Sequence, residues 1–206
     1  RAATRYLFYV ILSPVGAYYG GDGLKPVRIW VETQQTRAAH GGLGGIKAGA
    51  NYAASLYAAA RAKKHGYDQV LWLDGARHEN IEEVGTMNLF ALLGDELVTP
   101  LLGDSILAGV TRECVMTLAR ERGLTVSERT LPLAEVLEAH ASGSLREVFG
   151  SGTAAVVSPV GELILGDRHV RVGDGGVGPL ARSLYEELSG IQRATRPDRH
   201  GWLRAV

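Results

Sequence analysis

The chain has 206 residues, 46% of them hydrophobic, and its 22 acidic and 22 basic side chains cancel to a formal net charge of zero. That length suffices for one substantial core, and the charge balance removes any bulk electrostatic case for nucleic acid or an anionic membrane as partner, leaving small neutral or zwitterionic ligands. Cys114 is the single cysteine, so an intrachain disulfide and a cysteine metal cluster are both excluded; it reads as a buried core residue in a reducing, cytoplasmic setting, with no metal site expected.

The chain opens at Arg1 without the charged-then-apolar pattern of a signal segment, which reads as a processed start or an absent upstream portion. "YLFYVILSPV" (6–15) is β-branched and aromatic with a proline stop, and "PVRIWVE" (26–32) alternates, so both are predicted as strands. The apolar run 6–12 falls far short of the ~20 residues a membrane helix needs. "NYAASLYAAARAKKHGY" (51–67) predicts a helix capped by Asn51 and stopped at Gly66. "QVLWLDG" (69–75) reads as a buried strand, and 81–102 as strands linked by a "GDE" turn. Helices are predicted over 108–124, 131–143 and 178–195, with strands around a small-residue turn over 145–172. The sum is one mixed α/β domain, residues 1–206, with helices around a β core and no internal repeat.

Three small-residue turns stand beside polar groups. "GGLGGIKAGANYAASL" (41–56) sets Lys47 among glycines just ahead of a helix; it reads either as a pocket wall or as a surface loop with an incidental lysine. Gly109-Val110-Thr111 opens the second helix, and Gly150-Ser151-Gly152-Thr153-Ala154 joins two strands; either turn could offer free N–H groups to an anion, or simply be a capped helix and a tight connection. Neither a Gly-Lys-Ser/Thr phosphate loop nor a "GxGxxG" dinucleotide turn is present. A lysine, an anion cradle and a carboxylate together suggest pyridoxal phosphate, which uses an amine for a Schiff base and an acid opposite its ring nitrogen. Glu83 is the candidate acid, because Glu82 and Glu83 on a strand point to opposite faces and one of the two is expected in solvent.

Six blocks, "FYVILSPVGAYY", "GGIKAGANYAASL", "QVLWLDG", "EEVGTMNLF", "VTPLLGDSILAGVTRE" and "REVFGSGTAAVVSPVG", span essentially the whole chain in order. Together they resemble the large C-terminal domain of the branched-chain amino acid aminotransferases, fold-type IV enzymes that use pyridoxal 5'-phosphate. The "EVGTMN" and "FGSGTA" blocks favour these over the related D-amino acid aminotransferases and same-fold lyases. The resemblance implies a cytoplasmic homodimer that moves the amino group of leucine, isoleucine or valine to 2-oxoglutarate, giving glutamate.

By the same resemblance Lys47 would carry the Schiff base and shuttle the substrate's α-proton, and Glu83 would pair with the ring nitrogen. Tyr52 would meet the phenolic oxygen, and Leu107 would pack on the ring. The amides of Val110 and Thr111, the Gly152 turn and the Thr153 hydroxyl would hold the phosphate, and the Thr153 and Ala154 amides the substrate carboxylate. Departures are Ala50, Ala108, Arg193 and Ala194, where relatives often read glycine, proline, tyrosine and glycine. Each is expected to lower activity or local rigidity without changing the fold. Ala155 and Ser158 stand where some relatives carry a Cys-x-x-Cys pair, which excludes a thiol switch there. The smaller α/β domain that precedes this one in the family, and that supplies an arginine to the phosphate, is not in the chain. A remnant that retains only cofactor binding or dimerisation is therefore the alternative expectation.

Overall fold

The computed structural model describes residues 2–14 and 23–204. The first regular element is β1 (Val27–Val31), which buries Val27, Ile29 and Val31 on one face and turns Arg28 and Trp30 to the other, the two-residue period of a strand. Helix α1 (Gly49–Lys64) is alanine-rich, and its small Ala58 and Ala62 let it lie close on Val70 and Trp72. Arg61, Lys63 and Lys64 in its last turn suit the negative end of the helix dipole, and Gly66 follows with a left-handed φ of 80°. Strands β2 (Gln69–Leu73), β3 (Asn80–Val84), β4 (Met87–Leu93) and β5 (Glu96–Pro100) follow, almost wholly buried. Then come α2 (Val110–Glu121), β6 (Thr125–Arg129), β7 (Leu131–Pro132), α3 (Leu133–Ser142), β8 (Leu145–Gly152), β9 (Val156–Leu165), β10 (Arg168–Arg171) and α4 (Pro179–Gln192).

The strands form one sheet in the order β6-β5-β4-β8-β9-β1-β2-β3-β7, with β10 added on β9. Because β3 also pairs with β4, through Glu83 opposite Asn88 and Val84 opposite Met87, six strands close into a ring. Closure leaves those six without a free edge and creates an interior that side chains must fill. Ile29, Leu71, Leu89, Val148 and Leu163 fill it, and α3 packs Leu133, Val136 and Ala139 into the same cluster near Leu145, at the end where β8 begins. On the outer face Phe90 and Phe149 stack at 5.3 Å under Val115, Leu118, Leu184 and Leu188 of α2 and α4. The mixed α/β expectation therefore holds, with helices around a β core.

Several local expectations do not. Residues 6–14 of the predicted first strand form no strand, and Tyr6 to Leu12 are 67% to 92% exposed; the remaining position, Val15, lies outside the described residues. β propensity without a neighbouring strand to pair with does not make a strand. Asn51 is not the cap of α1: the helix starts two residues earlier, after Ala48, and the Asn51 Nδ2 donates backwards to the carbonyls of Leu43 (2.7 Å) and Ile46 (2.9 Å). The segment 81–102 holds three strands, since a second tight turn at Gly85-Thr86 splits it. Cys114 is half-buried rather than core.

Candidate active site

The end of the ring opposite α3 is built from the last residues of β3 and β8 and the first of β4, and two loops, 36–48 and 101–109, close over it. Why the first loop is glycine-rich is visible in the packing. A Cβ on Gly44 would lie 2.5 Å from the Ser105 backbone, and the Gly45 N–H donates to the Asp104 carbonyl at 2.7 Å. The glycines thus let two backbones touch. Asn51, reaching back from α1, ties the same loop to the helix. Lys47 emerges from this braced segment, exposed, with its Nζ donating to the Tyr52 hydroxyl at 2.8 Å.

Glu83 lies at the end of β3, 3% exposed. Its Oε1 accepts the Leu107 N–H at 3.0 Å and lies 3.4 Å from the Asn88 Nδ2, while Oε2 is 2.9 Å from the Arg37 Nε. The Arg37 N–H is not aimed along that line, so the contact is an ion pair rather than a directed hydrogen bond. Burial pushes Glu83 up to about 7, against the pull of Arg37, the Leu107 amide and Lys47, while the neighbouring Glu82 charge adds to the rise.

The expectation that one of the two adjacent glutamates faces water is wrong. Glu82 is 9% exposed, covered by the 101–109 loop and hydrogen-bonded by the Ser105 Oγ. Burial raises it as well, with the Ser105 bond and Arg37 opposing.

Lys47, Tyr52, Glu83, Leu107, Val110, Thr111, Gly152 and Thr153 all line one open cleft of about 640 Å³. Ala154 is exposed in the same turn as Thr153 but does not line the cleft. The floor at α2 is an anion-binding shape. Gly109 precedes the helix with no side-chain cap, so the first-turn N–H groups lack a capping side chain. The Ser151 hydroxyl is buried, lines the same cleft and has no hydrogen-bond partner among the described residues. A Cβ at Gly109 would come within 2.2 Å of the Asn88 Oδ1, so only glycine allows the helix start this close to β4.

Sequence reasoning missed Arg37, Asn88 and Ser105, and named Ser151 only as a member of the Gly150–Ala154 turn. Asn88 had a readable signal: a two-residue Gly85-Thr86 turn places residue 83 opposite 88. Arg37 had none, because its approach to Glu83 depends on the folding of a long loop.

Residues 2–163 match the amino-transferase class IV family. A branched-chain-amino-acid transaminase of Bacillus subtilis (strain 168) is 52% identical over 192 residues, which are 93% of this chain and 54% of that protein. A crystal structure of Escherichia coli branched-chain amino acid aminotransferase superposes with a TM-score of 0.79 at 32% identity, covering 93% of this chain and 60% of that one. The T.th. branched-chain amino acid aminotransferase, solved with pyridoxamine 5'-phosphate, gives a TM-score of 0.77 at 28% identity, covering 92% and 58%. The chain thus spans little more than half the length of the proteins it matches.

Proposed function

The chain belongs to the class IV aminotransferases, and from that premise we propose that it binds pyridoxal 5'-phosphate at Lys47 and serves the transamination of branched-chain amino acids with 2-oxoglutarate. The observation that carries this reading is the convergence on one cleft of an amine, a buried carboxylate, a helix start without a capping side chain, and a buried hydroxyl that has no partner among the described residues. That set fits the group. It has an amine for a Schiff base, an acid for a ring nitrogen, and donors for a phosphate. The names of its relatives support the substrate class.

When bound, the cofactor supplies an electron sink that makes an amino acid's α-proton acidic. The chain's residues do the rest. Lys47, its Nζ oriented by the Tyr52 hydroxyl 2.8 Å away, would hold the cofactor as its amine and would serve as the base and acid that moves the substrate's α-proton. Glu83, ringed by Arg37, Asn88 and the Leu107 amide, would hold the ring nitrogen and favour its protonated form. The Val110 and Thr111 amides, the Gly152 turn and the Thr153 hydroxyl would hold the phosphate, and the Thr153 and Ala154 amides the substrate carboxylate. Among the described residues the cations lining the cleft are Lys47 and Arg37, and Arg37 is committed to Glu83. The phosphate charge therefore falls to dipoles and hydroxyls in this chain, consistent with a domain of a longer two-domain, dimeric enzyme.

The test is to mix the 206-residue chain with pyridoxal phosphate, reduce with borohydride and map the modified lysine by mass spectrometry. A yellow band that vanishes on reduction, with the adduct on Lys47, is expected. An adduct elsewhere, or none, overturns the assignment.

A further inference from the structure

We infer that Arg37 is the positioning residue of this site: its guanidinium keeps the Glu83 carboxyl available in its charged form and aimed at the cleft. The inference rests on the reading of Glu83 as the group that meets the cofactor's ring nitrogen, and its own evidence is geometric. Arg37 is buried and its Nε lies 2.9 Å from the Glu83 Oε2, while its other end donates to the Ser105 carbonyl. Ser105 in turn hydrogen-bonds Glu82 through its hydroxyl. One guanidinium thus joins the loop that carries Lys47, the strand that carries Glu83, and the loop that leads into α2.

Burial disfavours a lone carboxylate, and two adjacent buried carboxyls disfavour each other's charge. The groups bearing on Glu83 are few. The 36–48 loop contributes Arg37 and Lys47, β3 contributes Glu82, β4 the neutral Asn88, and the 101–109 loop the Leu107 N–H. Of the two cations Lys47 is exposed and held by Tyr52, so Arg37 alone is fixed against the carboxyl. Even with Arg37 in place Glu83 stands at about 7. Without Arg37 it would remain a neutral acid throughout the neutral range, and a neutral acid attracts a protonated ring nitrogen far less than a carboxylate does.

The experiment uses the cofactor-free chain and reads the protonated-carboxyl band of Glu83 by infrared difference spectroscopy across pH, each protein measured against its Glu83→Gln partner. Arg37→Gln should raise the Glu83 midpoint by about one to three pH units. Arg37→Lys, which restores a cation without the planar fork, should return most of that shift. An unchanged midpoint in Arg37→Gln, or an Arg37→Lys midpoint displaced as far as the glutamine variant's, overturns the inference. Should Arg37→Gln fail to fold at neutral pH, the double variant with Glu83→Gln decides. Recovery of folding shows that the Glu83 carboxyl left without its partner was the fault, whereas an equally unfolded double variant shows that Arg37 serves packing alone. No cofactor enters these measurements, so their failure is distinct from a failure of Lys47 to take pyridoxal phosphate.

Discussion

Replacing Glu83 by glutamine should change how the stability of the cofactor-free chain depends on pH. Folded, Glu83 titrates at about 7 because it is buried, against a value of 4.5 for a free side chain. Between those values the folded chain holds a proton that the unfolded chain has released, so the stabilisation is whole below the unfolded value and is lost as pH rises through the folded one. A gap of about 2.5 pH units at about 1.4 kcal/mol each amounts to about 3.5 kcal/mol in full, of which about 3 kcal/mol falls between about pH 4.5 and 8. Glutamine keeps the size of the side chain and cannot ionise. It leaves Arg37 unpaired, but that cost is nearly constant with pH and cancels from the slope. Urea unfolding of both proteins at intervals from about pH 4.5 to 8 measures the difference. The glutamine variant should gain about 3 kcal/mol on the wild type across that range. A difference curve that stays flat would refute the claim that Glu83 is held protonated by burial, and with it the electrostatic account of the site.

Lys47→Ala should eliminate the borohydride-fixed adduct while shifting the unfolding free energy by no more than about 0.5 kcal/mol, because Lys47 is exposed and loses one hydrogen bond; a large loss in calorimetry would mean that it braces the loop. Gly109→Ala should lower cofactor affinity and cost about 1–3 kcal/mol, since the new methyl must displace the Asn88 side chain that steadies both Glu83 and the Leu107 carbonyl; unaltered affinity in a fluorescence titration would contradict the close approach drawn here. Ala194→Gly should stabilise by about 1 kcal/mol, because Ala194 sits just past α4 with a φ of 55° that glycine adopts without strain. For a chain this size that is a rise in Tm of about 2–4 °C. An unchanged or lower Tm would argue against strain at that position.

Ala194 also shows what the sequence alone could reach. A resemblance in which relatives carry glycine there located the weak spot, and the left-handed backbone supplies its cause. Strands β1 and β2 and the helices were legible because periodicity encodes them locally, whereas most of the proposed site residues came from the resemblance, and eight of the nine line one cleft. Glu83 was identifiable as a candidate, but its surroundings were not. Alternation along a strand states which face a side chain takes and is silent on whether a distant loop covers that face, which is why Glu82 was assigned to water. The glycines before Lys47 read as a pocket wall or a surface loop, whereas Gly44 and Gly45 mainly admit the backbone of residues 104 and 105. The apolar run at 6–12 failed as a strand for the complementary reason: composition states a willingness to pair, and a neighbour must be there to accept it.

The ring of strands has a consequence for how such a chain comes into being. Its closing seam is the parallel pairing of β1 with β9, where Arg28 reaches Glu162 across 134 residues of sequence. During synthesis β1 must wait, unpaired on that side, until β9 has emerged. Contacts so distant in sequence pay their loop-closure entropy before any reward, which slows folding. A chain that ended at Ala154 would carry every chemical group of the proposed site but lack β9, the strand that closes the ring around it.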